Sequence, residues 1–515
     1  MAAPASRDSG SVLSGKSAFT STTALLVYLA VADFVAHMIF AGNYGYFRDE
    51  LYYIVSGTQH LSLGYVDFPP MIAYVAALLN LFTGDSLVSI HTLPAFAEGV
   101  LVFMAGMIAR ELGGGRRAQL LAAVSTLLSF AFLAFGSLFT PDFLDSLWWS
   151  LLAYTVARIV RRREPKLWVV AGVVIGVGLL TKLTMVFFVG ALLVSFLAVP
   201  SARQYVRSKW VVLGGLLAVA FLLPMTYWNA VNGWPMVHFY LEFTGDVSGG
   251  GPLSFLYTQL ALMSFLNVPI FVIGLYFYLR SSDGSQLRAF GLAYLLLYVF
   301  MTVLDMKPYY LAPVYPMLYA GGALMIEKSA VSRRRVFRWF GSRPYIACVA
   351  VVAILLAPLA MPILPPQAVI NGYGPSDYQA SPMPDRYGWG GLVSNLSIAY
   401  ASIPKNLKSQ ACIFTSNYGE ASAVNFIGGS LGLPRAISGH NNYYVWGPDS
   451  CNGQVLITVG IPLAEMQQAY SNVTTLMTNE CSYCISYEQV LPVYLCTNPN
   501  FTSIATEWQA IRHYD

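Results

Sequence analysis

Runs of about twenty apolar residues recur from Thr22 to about residue 364, and every second gap between them carries a cluster of Lys and Arg. A bilayer requires ~20 apolar residues per helical crossing, within a range of about 17–25. On that rule spans fall near 22–42, 87–109, 119–138, 143–160, 167–181, 183–199, 210–228, 254–279, 289–305, 310–326 and 345–364. The basic clusters are Arg110 with Arg116 and Arg117; Arg158, Arg161, Arg162, Arg163 and Lys166; Arg203, Arg207 and Lys209; Arg280 and Arg288; and Lys328 through Arg333, Arg334, Arg335 and Arg338 to Arg343. Counted over these spans, every cluster lies on the same side as the N-terminus. Because Lys and Arg are retained in the cytoplasm, the expectation is a multi-pass cell-membrane protein with its N-terminus cytoplasmic. The C-terminus then faces outward.

Thr23 to Ala41 is too long for the core of a cleaved signal and lacks a small-residue cleavage site, so it reads as a retained first span. Met71 to Phe82 is short for a span and reads as an interfacial or re-entrant helix of the first loop. Only 10% of the 515 residues are charged and 56% are hydrophobic, against about 25% charged in a soluble domain. The net charge of +4 is not gathered into a basic domain or stacking module, which argues against nucleic acid as a partner. Membrane lipids are the surrounding medium.

The outward first loop holds the adjacent acids Asp49 and Glu50, preceded by Arg48 and set among Tyr44, Tyr46, Phe47, Tyr52 and Tyr53. Leu51, Ile54 and Val55 recur at helical spacing, which predicts a short amphipathic helix along the membrane surface with the acids at its start. Carboxylates beside hydrocarbon are costly unless they face water, a partner or a metal. A pair there suits acid–base work or a metal clamp, and the plain alternative is a helix N-terminal charge pair. Lys182 and Lys307 break the positive-inside trend, each in a very short outward hairpin, and so point to an anion. Snorkelling to headgroups is the alternative. Asp33 and His37 lie in the first span at i, i+4 and share a face, as a structural pair or a proton carrier.

From about Pro365 the composition changes. Residues 366–515 lack a membrane-length apolar run and contain strand-like stretches at Ala411–Thr415 and Gln454–Val459, with a helical pattern at Leu463–Tyr470 between them and the C-terminus. The chain therefore divides into a membrane domain, 1–365, and a small α/β domain, 366–515, placed outside. Five of six cysteines lie in the second part: Cys412, Cys451, Cys481, Cys484 and Cys496. That concentration fits disulfides with one thiol left over; a metal knuckle or redox pair at Cys481 and Cys484 is the alternative.

Four pieces carry a family resemblance: Arg48-Asp49-Glu50-Leu51-Tyr52-Tyr53, Gly64-Tyr65-Val66-Asp67-Phe68-Pro69-Pro70, Gly176 to Thr181-Lys182, and Lys307-Pro308-Tyr309-Tyr310. In this order and on one side, the set resembles the dolichyl-phosphate-mannose protein mannosyltransferase-like superfamily of GT-C fold glycosyltransferases, in particular its lipid A aminoarabinose transferase-like branch. The likeness covers roughly residues 20–330. It implies a helical polytopic enzyme of about 11 spans that moves a sugar from a polyprenyl-phosphate donor to a hydroxyl of a glycan, lipid or protein on the outer face. It maps the essential first-loop acid onto Asp49, with Glu50 orienting the acceptor and Asp142 in the second outward turn as a further acid; Asp145 competes for that place. The donor phosphate falls to Lys182, Lys307, Tyr309, Tyr310 and Arg48. No cofactor is required by these residues. The resemblance does allow a divalent metal, for which Asp67 and His238 are the available ligands. One departure is plain: where the aminoarabinose branch has an acid followed by Lys-Pro, this chain has Asp67-Phe68-Pro69-Pro70, so one expected cation is missing. A polytopic lipid or glycan transporter or flippase without transferase activity is the competing class, weakened by the lack of an inverted repeat.

Overall fold

The computed structural model describes residues 19–242, 250–331 and 335–514. The N-terminal tail with Arg7 and Lys16, and the basic residues Arg333 and Arg334, lie outside the described residues. The first part of the chain is a bundle of apolar helices. Among the described residues five are long and apolar enough to cross a membrane: Thr22–Phe40, Leu87–Glu111, Lys209–Val231, Ser285–Val303 and Arg343–Ala360. Shorter apolar helices, among them Leu167–Thr181 and Thr184–Ala198, fill the spaces between them.

Three of the expected spans are interrupted rather than continuous. The stretch 119–138 is helix Arg116–Leu127 followed by helix Phe130–Phe135. The stretch 254–279 divides into Gly251–Leu262 and Val268–Arg280, with Ser264 and Phe265 at positive φ between them. The stretch from 310 opens as a 3-10 turn, Pro308–Val314, before helix Tyr315–Val331. Broken helices are tolerated at membrane depth when neighbours satisfy the freed backbone groups. Here the first two breaks satisfy each other. Phe130 N–H donates to Ser264 Oγ at 2.9 Å, and Asn267 Nδ2 donates to the Ser125 carbonyl at 3.1 Å. Apolar run length in the sequence registers none of this.

The C-terminal part contains a mixed five-stranded sheet of order β2-β1-β3-β5-β4. The strands are β1 Ala411–Thr415, β2 Ala436–Ile437, β3 Val455–Val459, β4 Tyr470–Glu480 and β5 Val490–Pro499. β1 pairs in parallel with β2 and β3, while β5 runs antiparallel to β3 and β4. Alternation sends Ile413, Ile457 and Val493 to one face and Cys412, Leu456 and Cys496 to the other. The first set belongs to the same hydrophobic cluster as the membrane helices; the second closes a separate cluster. The sheet is therefore joined by one apolar face to the bundle. Cys412–Cys451 and Cys481–Cys484 are disulfides and Cys496 is a buried free thiol, as the cysteine count anticipates. The metal-knuckle alternative at Cys481 is thereby removed.

The helix expected around the acidic pair forms at Arg48–Thr58, but it does not lie open on a membrane surface. Glu50 through Gly57 are all buried. Helix Tyr418–Ile427 packs against Arg48–Thr58, and its Gly419 makes room for the Arg48 side chain: a Cβ there would stand 2.5 Å from Arg48 Cγ.

Candidate active site

The first loop is fixed by Glu50. Its carboxylate accepts from Phe47 N–H at 2.8 Å, His91 Nε2 at 3.0 Å and Phe139 N–H at 2.7 Å. These bonds cap the helix that carries Asp49 and tie it to the turn leading into helix Pro141–Arg162. Burial disfavours the Glu50 charge, but His91, Arg386 and the Phe139 N–H outweigh it and hold its carboxyl below the usual range. All three partners are internal, so Glu50 has no face toward a substrate. Against the expectation that Glu50 orients an acceptor, its carboxylate is spent on Phe47, His91 and Phe139.

Asp49, one residue earlier, points elsewhere and is half-buried. Its Oδ1 accepts from the Tyr418 hydroxyl at 2.7 Å and from Arg48 Nε at 3.4 Å. Oδ2 takes no hydrogen bond from the described residues. Tyr418 is stacked on Tyr52 at 4.4 Å between centroids, and the Arg48 guanidinium lies 5.3 Å above the Tyr418 ring. Arg48 also bonds the Tyr487 hydroxyl, which donates to Asp385 Oδ1 at 3.3 Å. Burial pushes the Asp385 carboxyl up to about 6, against the pull of Arg48. Lys307 is half-buried; its charge is felt at Asp385, yet its ammonium has no hydrogen bond or ion pair among the described residues.

Lys182 is differently placed. It stands extended at the end of helix Leu167–Thr181 and bonds Asp142 Oδ1. Its ammonium lies 4.3 Å from the Tyr310 ring centroid and 5.0 Å from that of Tyr309. Lys182, Asp142, Tyr309 and Tyr310 thus form one group, with the cation already neutralised. Asp145, one helical turn beyond Asp142, is buried and accepts from Thr184 Oγ1 at 2.7 Å, whereas Asp142 is partly exposed.

The two residues offered for a metal do not fit one. Asp67 Oδ1 accepts from the Tyr52 hydroxyl at 3.0 Å and Asn442 Nδ2 at 2.9 Å, while Oδ2 accepts from Asn441 Nδ2 at 3.2 Å. Those donors face the oxygens a cation would need. Burial lifts the Asp67 carboxyl to about 7, and the Tyr52 hydroxyl opposes the rise. His238 stands 3.4 Å from Glu242 with its side chain 49% exposed. Among the described residues no three His, Cys, Asp or Glu form a metal-holding group.

Sequence reasoning missed the contribution of the C-terminal part: Tyr418, Asn442, Asp385 and Tyr487 meet the first loop, and buried Arg386 donates to the Gly45 and Ser137 carbonyls. Asn417–Glu420 and Gly439–Trp446 are rich in aromatic and amide side chains, but nothing in their sequence says which surface they face.

Residues 67–228 match the profile of the family Dolichyl-phosphate-mannose-protein mannosyltransferase. Lipid A galacturonosyltransferase RgtD of Rhizobium johnstonii is 27% identical over 194 residues, which cover 36% of this chain and 38% of that protein. The match therefore spans well under half of the curated relative. Two crystal structures of ArnT from Cupriavidus metallidurans are similar over almost the whole fold. The one bound to undecaprenyl phosphate gives a TM-score of 0.60 over 91% of this chain and 97% of its own, at 14% identity. The apo form gives 0.62 over 92% and 98%, again at 14% identity. Residues 67–228 are thus similar to the Dolichyl-phosphate-mannose-protein mannosyltransferase family, and the chain as a whole has the fold of the ArnT structures.

Proposed function

We propose that this protein is a membrane glycosyltransferase that moves a sugar from a polyprenyl-phosphate donor to a hydroxyl acceptor on the outer face of the membrane. The observation that carries the reading is Asp49: a carboxylate oriented through one oxygen by Tyr418 and Arg48, its other oxygen taking no hydrogen bond from the described residues, near an Asp385 that also feels the charge of Lys307. The acceptor oxygen attacks the anomeric carbon, the bond from that carbon to the donor phosphate oxygen breaks, and the acceptor proton passes to Asp49. Polyprenyl phosphate leaves with the bonding electron pair. Cations aimed at charge that develops on the leaving group stabilise the transition state. Lys307 supplies the open cation, Arg48 a second, and Lys182 a third if the phosphate displaces Asp142. Tyr309 and Tyr310 offer hydroxyls beside them. A lipid-linked donor keeps its chain in the bilayer and its phosphate at headgroup depth, where these residues would lie.

The same reading includes eleven crossings, some through broken helices, with the N-terminus cytoplasmic and residues 366–515 as an outer domain that completes the site. The likeness to ArnT, one of whose structures holds undecaprenyl phosphate, and to a lipid A galacturonosyltransferase supports a lipid-phosphate-linked donor and a lipid acceptor first among the acceptors. Incubating the purified chain with a radiolabelled polyprenyl-phosphate sugar and lipid A tests it. Label in the lipid A fraction supports the reading. Label that stays on the donor, with every hydroxyl acceptor class supplied, refutes it.

A further inference from the structure

Asp33, His37 and Glu98 lie in the helices Thr22–Phe40 and Leu87–Glu111 and are buried, Glu98 to 1% exposure. His37 Nδ1 stands 2.9 Å from the Asp33 carbonyl oxygen and 3.6 Å from Asp33 Oδ1. His37 Nε2 stands 3.2 Å from the Leu133 carbonyl oxygen. A carbonyl oxygen only accepts, so both ring nitrogens can bond as placed only when each carries a proton. The arrangement is that of an imidazolium with Asp33 as its counter-ion. Close by, both Glu98 oxygens and Asp33 Oδ2 are buried with no hydrogen-bond partner among the described residues. A second carboxylate charge in a helix bundle, with no donor to support it, is strongly disfavoured. Gly136 shows how tightly the groups are gathered: a Cβ there would stand 2.5 Å from His37 Nε2 and 2.7 Å from Glu98 Cγ.

We propose that Asp33, His37 and Glu98 form a proton-binding site inside the membrane domain, with one proton on the second nitrogen of His37 and one on Glu98. The ligand is a proton rather than a metal ion, because these side chains do not assemble a metal-holding group. The site backs the segment Phe130–Thr140 through the Leu133 carbonyl and Gly136. That segment leads to Phe139, whose N–H holds Glu50, and to Asp142. The other ionisable groups facing it are His91 and Arg386, which line with His37 a cavity of about 10 Å³, room for about one water. Glu50 lies behind His91. Loss of the Glu98 proton would set a second negative charge beside Asp33 and unseat the wall that supports the active-site turn.

The effect on transfer rests on the glycosyltransferase reading; the proton itself does not. Infrared spectra of the purified chain at neutral pH should show the carbonyl stretch of a buried, protonated carboxyl that is absent from Glu98→Gln. Glu98→Gln keeps the shape of the acid and cannot release a proton, so it should retain transfer at alkaline pH where the wild type loses it. His37→Gln, which cannot serve as counter-ion, should lower transfer at every pH. A wild-type-minus-Glu98→Gln difference spectrum with no acid carbonyl band, or a Glu98 band that sodium abolishes at constant pH, would overturn the proposal. So would identical pH profiles in wild type and Glu98→Gln. Were the chain to transfer no sugar at all, the infrared result alone would decide.

Discussion

The Tyr418 hydroxyl donates to Asp49 Oδ1 at 2.7 Å across 369 residues of chain, joining the C-terminal part to the first loop of the membrane part. The bond fixes one oxygen of Asp49 and so decides where the other can reach. Tyr418 is held in turn by the stack on Tyr52 and by Asn417, whose side chain caps the helix that Tyr418 begins.

Tyr418→Phe keeps the stack and removes the donor. A hydrogen bond to a charged group is worth ~1.5–3 kcal/mol, so turnover should fall roughly ten- to a hundred-fold. The KM for donor should change little, because Phe keeps the ring beneath Arg48 and no phosphate cation loses a hydrogen bond. Steady-state kinetics with donor varied checks it. An unchanged turnover number would make Tyr418 a packing residue.

Lys307 and Lys182 should differ. Lys307→Ala removes an open cation and should lower efficiency at limiting donor by roughly ten- to a hundred-fold. Lys182→Ala removes one already neutralised by Asp142, so its effect should be smaller, and Asp142→Asn should soften it further. Equal losses in both lysine variants would mean that the Lys182–Asp142 pair opens fully on donor binding.

Dialysis against a chelator should leave transfer unchanged, because amide and hydroxyl donors occupy the oxygens of Asp67. Activity that vanishes with chelator and returns with a divalent metal would contradict this.

Asp67 also gives a pH dependence of stability. Its folded pKa of about 7 lies above the unfolded value, ~3.9, so the folded state binds the extra proton. The stability it contributes is present below pH ~4 and is lost as pH rises through about 7. Thermal unfolding in detergent across that range should show the decline, and Asp67→Asn should flatten it.

Topology is tested by labelling with a membrane-impermeant thiol reagent in intact cells, in a Cys348→Ser background. Ser430→Cys, exposed on the C-terminal part, should react; Ser201→Cys and Ser282→Cys, beside basic clusters, should not. Reaction at all three would undo the eleven-span reading.

Much of this was legible in residues. Apolar run length and the side of the basic clusters suggest a polytopic bundle, and strand-like runs at 411–415 and 454–459 anticipate β1 and β3. Short motifs brought out Asp49, Lys182 and Lys307. The rest depends on contacts that local patterns do not encode. Glu50 looks like the twin of Asp49 in sequence, yet helical geometry turns it inward to His91 and Phe139. The breaks near Ser129 and Ser264 are hidden because each is satisfied by the other, more than a hundred residues away. Tyr418 and Asn442 sit in polar, turn-rich stretches that would suit any exposed surface.

In the proposed reaction Asp49 takes the acceptor proton. The direct measurement is sugar transfer by purified Asp49→Asn, with binding of the polyprenyl-phosphate donor assayed separately. Asparagine keeps the acceptor oxygen facing Tyr418 but cannot serve as a base, so transfer should fall by about 10²–10⁴. Donor binding should persist, since the phosphate is assigned to the cations. Wild-type transfer by Asp49→Asn in folded, monodisperse protein would contradict the account.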